Sequence, residues 1–441
     1  MSSKVVFTVQ PGGCLSGRIR VPGDKSISHR SIMLGALAEG TTEITGFLEG
    51  EDSLATLRAF RAMGVDIEGP EAGAVRVHGV GLHGLKASAG PLDLGNSGTS
   101  MRLMAGLLAG QAFDSVLTGD ASLSRRPMGR VTEPLASMGA RIETAEGGTA
   151  PLHIRGGAAL AGIDYLLPVA SAQVKSCLLL AGLYANGRTC VTEPAPTRDH
   201  TERMLAGLGY AVERRGATVC VEGGGRLRAA GIDIPADISS AAFFLVGASI
   251  AAGSDLTLEH VGINPTRIGV INILRLMGAD ISLTNEREVG GEPVADLRVR
   301  SAALRGIRIP EDQVPLAIDE FPALFVAAAV AEGETVLTGA RELRVKESDR
   351  IQVMADGLRA MGADAVPTED GMVIRGAGPA GSLLGGRVES HGDHRIAMAF
   401  AMAALRAEGE VVIDDCANVN TSFPGFDALA RSVGLSMAAA G

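Results

Sequence analysis

The chain has 441 residues, a net charge of −10, 46% hydrophobic residues and no Trp. This length suffices for two domains, because single hydrophobic cores rarely grow beyond about 250–300 residues. Acidic charge and an aromatic content of 3% argue against a nucleic-acid-binding protein. The five cysteines form no CxxC pair, so we expect reduced thiols rather than a zinc site or a disulfide framework. The first residues lack the layout of a signal peptide, and no uncharged run reaches the roughly 18–20 residues of a membrane span. We therefore expect a cytoplasmic protein with no membrane partner.

Glycines divide the chain into a sixfold repeat. Six apolar helical runs end at Gly40, Gly110, Gly187, Gly253, Gly333 and Gly409. A second set of helical runs ends between them, at Gly64, Gly139, Gly209, Gly278, Gly362 and Gly434. The second set is spaced by 75, 70, 69, 84 and 72 residues. Glycine suits the left-handed residue that closes a helix, and strand-like segments follow most of these glycines. The pattern predicts six α/β units, each with helix, strand, helix, strand and a further strand or hairpin.

Two segments match the GxGxxG pattern of dinucleotide-binding proteins. They are GVGLHG at 79–84 and GAGPAG at 376–381. Each follows a repeat-terminal strand and neither opens a helix, so the structural context of that motif is missing. We predict no nucleotide-binding fold.

The helices of both sets begin with polar residues, and several of these are cations. Ser, Asp and Asn at such places are ordinary helix caps, but cations oppose the positive end of the helix dipole. The cations near helix starts are Lys25, Arg30, Arg126, Arg198, Lys346, Arg350 and Arg395. Helix N-termini reinforced by Lys and Arg bind phosphates and carboxylates, so we predict an anion site. Two readings stay open for the carboxylates: Glu347 is either an ion-pair partner or a proton-transfer group, and Asp319 and Asp393 are either caps or functional.

Seven stretches of the sequence resemble a known family. The stretches that carry the resemblance are PGDKSISHR, LGNSGTSMR, RRPMGRV, SAQVKS, VKESDR, GDHR and NTSFPGF, in this order. Together they are similar to the 3-phosphoshikimate 1-carboxyvinyltransferases, or EPSP synthases, in the subgroup with the NTSFP pattern. The resemblance covers essentially the whole chain. It implies transfer of the enolpyruvyl group of phosphoenolpyruvate to the 5-hydroxyl of shikimate 3-phosphate, a step of aromatic amino acid biosynthesis, with no metal or organic cofactor.

The resemblance also implies a domain organisation. The expected fold is a two-domain inverted α/β barrel-like architecture, in which each domain has three βαβαββ repeats. One domain would comprise residues 1–21 and 236–441, and the other residues 22–235. The active site would lie in the cleft between them.

The family's site residues carry over onto matching positions of this chain. For shikimate 3-phosphate the resemblance implies Lys25, Ser26, Arg30, Ser171, Ala172, Gln173, Arg198, Asp319 and Lys346. For phosphoenolpyruvate it implies Lys25, Asn96, Gly98, Arg126, Gln173, Arg350, Arg395 and Thr421. The catalytic set would be Lys25, Asp319 and Glu347, with Glu347 the better candidate at the methylene and Asp319 at the hydroxyl. Glyphosate is expected to occupy the phosphoenolpyruvate position, and relatives with Ala in place of Gly98 tend to resist it.

Two positions depart from the family pattern. Thr421 stands where many members have Lys, and Ala172 stands where many have a second Ser. One phosphate-binding cation is thus missing or supplied elsewhere.

Two alternatives differ in function. The sister enzyme that acts on UDP-N-acetylglucosamine carries a reactive Cys where this chain has Ala121. A non-catalytic anion-binding repeat protein would have no use for the carboxylates of Asp319 and Glu347.

Overall fold

The computed structural model describes residues 5–441. Over this range the twelve α-helices are α1 Lys25–Leu37, α2 Glu51–Ala62, α3 Gly98–Ala109, α4 Gly129–Ser137, α5 Ala172–Gly182, α6 His200–Gly207, α7 Ile238–Ile250, α8 Gly269–Leu276, α9 Phe321–Val330, α10 Arg350–Ala360, α11 His394–Ala403 and α12 Phe426–Ser432. Short 3-10 helices cover Leu123–Arg125, Glu311–Gln313, Arg341–Val345, Ala404–Arg406 and Ala417–Thr421.

The strands alternate with these helices along the chain. They are β1 Val6–Val9, β2 Ser16–Ile19, β3 Ala38–Thr45, β4 Asp66–Glu71, β5 Ala74–Val80, β6 Leu92–Asp93, β7 Ser115–Thr118, β8 Arg141–Ala145, β9 Thr149–Arg155, β10 Asp164–Leu166, β11 Arg188–Thr192, β12 Val212–Arg215, β13 Thr218–Glu222, β14 Leu227–Arg228, β15 Ile232–Asp233, β16 Asp255–Gly262, β17 Asp280–Val289, β18 Glu292–Arg300, β19 Glu332–Leu337, β20 Asp364–Pro367, β21 Met372–Ala377, β22 Gly386–Glu389, β23 Val411–Asp414 and β24 Met437–Ala440.

The chain divides into two compact units. Unit 1 contains the residues up to Pro22 together with Pro235–Glu288 and Pro293–Gly441. Unit 2 contains Gly23–Ile234 and the turn Val289–Glu292. Each unit has its own cluster of buried hydrophobic residues.

Five of the six sheets in the described part of the chain share one strand arrangement, and the sixth, β19-β21-β20, lacks the first strand. The alternation of these sheets with helices confirms the predicted α/β class. In the second repeat, β6 runs parallel to β7, β7 is antiparallel to β9, and β9 is antiparallel to β8. The strand order β10-β11-β13-β12 repeats this pattern in the third repeat. Between the strands lie two helices, so each complete repeat reads βαβαββ.

Some repeats take a strand from a distant part of the chain. In unit 2, β14 and β15 pair in parallel with β3 and so supply the first strand of the first repeat. In unit 1, β2 pairs in parallel with β16, and β1 lies between β23 and β24. Strands of two to four residues give too short a sequence pattern to reveal these exchanges.

The first helix of each repeat forms the centre of its unit. Every residue of α7 and of α9 is buried, and α7, α9 and α11 pack against one another. A helix that is apolar on all sides is expected inside a core rather than at its surface. Polar residues on these helices are therefore confined to their ends, which explains the predicted contrast between apolar runs and polar starts.

The prediction that glycines close the helices holds for only one of the two sets. All six glycines of the second set have positive φ, from +79° at Gly209 to +117° at Gly434. In the first set, α1 already ends at Leu37, and Gly40 lies inside β3 with φ +107°. Gly110 has φ −88°, and Gly409 is not among the positive-φ glycines. Gly187, Gly253 and Gly333 have positive φ but lie three or more residues beyond the ends of α5, α7 and α9. Left-handed closure is therefore wrong for the first set, because these helices end before the glycine or, at Gly110, in a residue with helical φ.

The expectation of reduced thiols is also wrong at one pair. Cys190 and Cys220 form a disulfide, and they stand directly opposite each other on the antiparallel strands β11 and β13. Cys14, Cys177 and Cys416 are free. The pairing depends on strand register, which the 30-residue separation in sequence does not reveal.

None of the helices in the described part of the chain is both long enough and apolar enough to cross a membrane. Within residues 5–441, no group of three or more His, Cys, Asp or Glu side chains is arranged to hold a metal ion.

Candidate active site

Arg350 is the centre of the charged cluster in unit 1. It is the first residue of α10, and only 1% of its side chain is exposed. Its guanidinium donates to three carboxylates: Nε to Asp393 Oδ2 at 2.8 Å, Nη2 to Glu347 Oε2 at 2.6 Å and Nη1 to Asp319 Oδ1 at 3.4 Å. Burial alone would lower the pKa of Arg350, but these carboxylates outweigh burial and raise the pKa above its usual value. The guanidinium is therefore permanently charged and held in one orientation.

Asp393 holds the starts of two helices together. It is the N-cap of α11, and its Oδ1 accepts from the backbone N of Arg395 at 2.9 Å. Its other oxygen accepts from Ser348 Oγ at 3.0 Å as well as from Arg350. Burial alone would raise the pKa of Asp393, but the Arg350 guanidinium keeps it below its usual range. The cap interpretation is correct for Asp393, which in addition orients Arg350.

Asp319 lies between cations at the start of α9. Its Oδ1 is 3.4 Å from Lys346 Nζ and 3.4 Å from Arg350 Nη1. Its backbone carbonyl accepts from Arg395 Nη1 at 3.0 Å. Asp319 precedes the N-cap residue Glu320, so it is not a cap of this helix. Asp319 thus contacts two cations while 13% of its side chain stays exposed.

Glu347 is the most exposed carboxylate of this cluster, at 28% of its side chain. Its ion pair with Arg350 agrees with the interpretation as an ion-pair partner, and its exposure leaves it accessible to a ligand, as a proton-transfer group must be.

Thr421 ends the 3-10 helix Ala417–Thr421, which packs against α11. The Thr421 hydroxyl donates to the Asn418 carbonyl at 2.7 Å.

In unit 2, the first turns of α1 carry three predicted site residues. Lys25 Nζ is 3.1 Å from Asp52 Oδ2 at the start of α2. Arg30 is buried; Nε donates to Thr201 Oγ1 at 2.7 Å, and Nη1 donates to the Ser26 carbonyl at 2.9 Å. Burial lowers the pKa of Arg30 to about 10, so it is still charged at neutral pH.

A second group joins the starts of α3 and α5. Arg126 Nη2 donates to Asn96 Oδ1 at 2.7 Å. Arg102 Nη1 donates to Gln173 Oε1 at 2.8 Å. A Cβ added at Gly98, the first residue of α3, would lie 2.8 Å from Arg102 Nη1 and 3.2 Å from Arg126 Nη1. The glycine therefore lets two guanidinium groups approach the helix start.

The remaining predicted residues of unit 2 lie near the starts of α5 and α6. Ser171 caps α5 by accepting from the Val174 backbone N at 3.4 Å, and Ala172 is the first residue of that helix. Arg198 lies two residues before α6. Arg126 and Lys346 likewise precede their helices, α4 and α10, by three and four residues. These three cations therefore lie near helix starts, as predicted, but outside the helices themselves.

A buried ion cluster joins α5 and α6. Lys175 Nζ is 3.0 Å from Glu193 Oε1 and 2.7 Å from Glu202 Oε1.

His29 is a buried, uncharged residue of α1. Its Nδ1 contacts Thr56 Oγ1 at 2.8 Å. Burial, assisted by the positive charges of Lys25 and Arg30, lowers the pKa of His29 to about 3. His29 is therefore neutral at physiological pH.

The structure thus brings the predicted residues into separate groups within each unit. Asp319, Lys346, Glu347, Arg350 and Arg395 form one cluster in unit 1. The cations that implied a compensating anion are partly met by the chain's own carboxylates. Sequence reasoning missed Arg102, although its position four residues after Gly98 places the two on one helix face.

Comparisons with known proteins agree on one family. The family described as EPSP synthase (3-phosphoshikimate 1-carboxyvinyltransferase) matches residues 9–429. The 3-phosphoshikimate 1-carboxyvinyltransferase of Alkalilimnicola ehrlichii is 74% identical over 98% of this chain and 96% of its own length. That of Methylococcus capsulatus is 73% identical over 98% of both chains. The solved EPSP synthase structure from Acinetobacter baumannii has a TM-score of 0.91 and 61% identity, with each chain covered completely.

Proposed function

The chain belongs to the EPSP synthase (3-phosphoshikimate 1-carboxyvinyltransferase) family, and from that premise we propose how its own residues carry out the family's reaction. The reaction transfers the enolpyruvyl group of phosphoenolpyruvate to the 5-hydroxyl of shikimate 3-phosphate. Its products are 5-enolpyruvylshikimate 3-phosphate and phosphate. Both substrates are small anions, which fits the many cations at helix starts.

The cluster around Arg350 is the observation that carries the proposal. Arg350 and Arg395 would bind the phosphoenolpyruvate carboxylate, because guanidinium groups hold carboxylates through paired hydrogen bonds. Arg350 Nη1 is only 3.4 Å from Asp319 Oδ1, a long contact that a substrate carboxylate can replace. Asp393 keeps the plane of this guanidinium fixed throughout.

The phosphate of phosphoenolpyruvate would bind at the start of α3. Arg126 is the main cation there, and Asn96 orients it through a 2.7 Å hydrogen bond. Gly98 leaves room for a phosphate near the helix N-terminus, which favours anions. Lys25, Gln173 and Thr421 complete the proposed set.

Shikimate 3-phosphate would bind mainly through unit 2. The proposed residues are Lys25, Ser26, Arg30, Ser171, Ala172, Gln173 and Arg198, with Asp319 and Lys346 from unit 1. Buried partners hold Arg30 in place, so its remaining donor capacity is preorganised for a phosphate. Ala172 has no side-chain donor and would contribute only backbone.

Two carboxylates and one ammonium group would handle the protons. A proton is added to the methylene carbon of phosphoenolpyruvate, and another leaves the attacking hydroxyl. We propose Glu347 for the methylene and Asp319 for the hydroxyl. Lys25, which lies 3.1 Å from Asp52, would contact both substrates. Arg350 contacts both carboxylates and would hold them in place beside the substrates.

A phosphate-release assay tests the proposal. The purified protein is incubated with phosphoenolpyruvate and either shikimate 3-phosphate or UDP-N-acetylglucosamine. We expect turnover only with shikimate 3-phosphate, and competitive inhibition by glyphosate against phosphoenolpyruvate. Turnover with UDP-N-acetylglucosamine would point to the sister activity, and substrate binding without phosphate release would indicate a non-catalytic anion-binding protein.

The proposed location is the cytoplasm. Disulfides are rare in the reducing cytosol, so the Cys190–Cys220 bond argues against this location unless the two thiols are reduced in the cell. Alkylation of thiols before lysis, followed by mass spectrometry of both peptides and by cell fractionation, tests the location.

A further inference from the structure

Glu320 is a buried carboxylate whose position is not explained by helix capping. It is the N-cap residue of α9, but its side chain makes no capping hydrogen bond. Only 1% of it is exposed. It instead accepts a hydrogen bond from Ser239 Oγ and lies 3.8 Å from Arg395 Nη1. A buried charge is stable only when it is paired and hydrogen-bonded, so these partners account for its presence.

A second buried cation completes the arrangement. Arg267 Nη2 donates to Ser239 Oγ at 2.7 Å and to Asp237 Oδ1 at 3.2 Å, and it lies 4.0 Å from Glu320 Oε1. Asp237 and Ser239 belong to the start of α7. The network therefore runs from α7 through Glu320 to Arg395 on α11.

The same residues determine the surroundings of Asp319. Arg395 Nη1 donates to the Asp319 backbone carbonyl at 3.0 Å, and the next residue along the chain is Glu320. Holding Glu320 in place therefore also holds the Asp319 carbonyl, and both groups contact Arg395 Nη1. Because Nη1 is held by these two groups, the orientation of the guanidinium is set, and its other nitrogens can bind a ligand.

We propose that Glu320 is a positioning residue for phosphoenolpyruvate binding, held by Ser239 and Arg267 and acting through Arg395. The inference rests on the proposed function. It predicts a specific kinetic signature: loss of the Glu320 charge weakens binding of phosphoenolpyruvate, with little effect on shikimate 3-phosphate, whose proposed residues lie mainly in unit 2.

Glu320→Gln is the central variant, because it keeps the side-chain shape and the contact with Ser239 but removes the charge. We expect KM for phosphoenolpyruvate to rise roughly 10-fold, because Arg395 loses the negative charge that lies 3.8 Å from its Nη1. We expect kcat and the dissociation constant of shikimate 3-phosphate to stay within about twofold. Ser239→Ala, which removes the donor and leaves the charge, should raise the same KM by roughly two- to fivefold.

Asp296→Asn is the matched control in the same unit. Asp296 is also a buried carboxylate, and it accepts from the His260 backbone N at 2.9 Å and from Asn285 Nδ2 at 2.7 Å. The Asp296→Asn variant should have a lower melting temperature and an unchanged KM for phosphoenolpyruvate. If Glu320 had only a structural role, Glu320→Gln would give this same result.

The outcomes separate the inference from the proposed function. A wild-type protein that fails to turn over the two substrates refutes the proposed function. An active wild type in which both Glu320→Gln and Ser239→Ala keep KM for phosphoenolpyruvate overturns the inference. A lower KM in Glu320→Gln overturns it as well, since Glu320 would then merely compete with the substrate for Arg395. If Glu320→Gln does not fold, Ser239→Ala decides alone.

Discussion

Replacement of Gly98 by Ala places a methyl group between two guanidinium groups. The added Cβ would lie 2.8 Å from Arg102 Nη1, closer than such contacts normally allow, and 3.2 Å from Arg126 Nη1. Both atoms are ends of long side chains, so they can move. Arg102 Nη1 is, however, held by Gln173 Oε1 at 2.8 Å, and moving it weakens that hydrogen bond.

The size of the effect follows from these contacts. A weakened hydrogen bond costs about 0.5–1.5 kcal/mol, and overpacking a tight site costs about 1–3 kcal/mol. For glyphosate, the longer ligand, we take the second range, which corresponds to roughly 5- to 150-fold weaker inhibition. Phosphoenolpyruvate is shorter, and its KM should rise less.

The assay measures the glyphosate inhibition constant and KM for phosphoenolpyruvate in the wild type, Gly98→Ala and Gly90→Ala. Gly90 is the matched control, because a Cβ there would meet no atom within 4 Å. It should leave both constants unchanged. Equal weakening of the two ligands in Gly98→Ala would refute the reasoning, since Gly98 would then not lie at the end of the site that distinguishes them.

Three further variants test the proton chemistry, the pH dependence and the buried ion cluster. Glu347→Gln should lower kcat by roughly 100-fold or more with small changes in substrate affinity; near-normal turnover would leave Glu347 as an ion-pair partner of Arg350 only. The pKa of His29, lowered by burial to about 3 in the folded protein, means that only the unfolded chain takes up this proton as the pH falls through about 6.5. The free energy of unfolding should therefore drop by about 2 kcal/mol from this group between pH 7 and pH 5, and His29→Gln should show a smaller drop in urea titrations at the two pH values. Lys175→Met leaves two carboxylates buried without their cation and should cost about 3–5 kcal/mol in chemical denaturation; a loss below about 1 kcal/mol would show that water reaches the cluster.

Local features of the fold could be predicted from the sequence. Asp24, Ser97, Ser171, Asp237 and Asp393 each cap a helix of the first set, with the side-chain oxygen accepting from a backbone N two or three residues later. Such bonds depend only on neighbouring residues. The apolar runs after them likewise predicted buried helices.

Long-range partners could not be predicted. Arg350 meets Asp393 across 43 residues, and Arg30 meets Thr201 across 171. Either arginine could equally have faced solvent or a ligand until the packing of the helices was known. Anion binding was inferred from cations at helix N-termini, whereas the structure shows that carboxylates of the chain already neutralise part of their charge.

The placement of β1 between β23 and β24 has a consequence for synthesis on the ribosome. Val9 pairs with Val411 and Val6 with Ala440, so about 400 residues separate the partners, and at about 5–20 residues per second they emerge roughly 20–80 s apart. All of unit 2 lies between them in the chain and can fold during that interval. The nascent chain therefore carries a β-strand without its neighbours for most of its synthesis, and unpaired strands are prone to aggregate. In a chain truncated before residue 411, β1 would lack both of its neighbours permanently, so C-terminal truncation should cause aggregation through a strand at the N-terminal end of the chain.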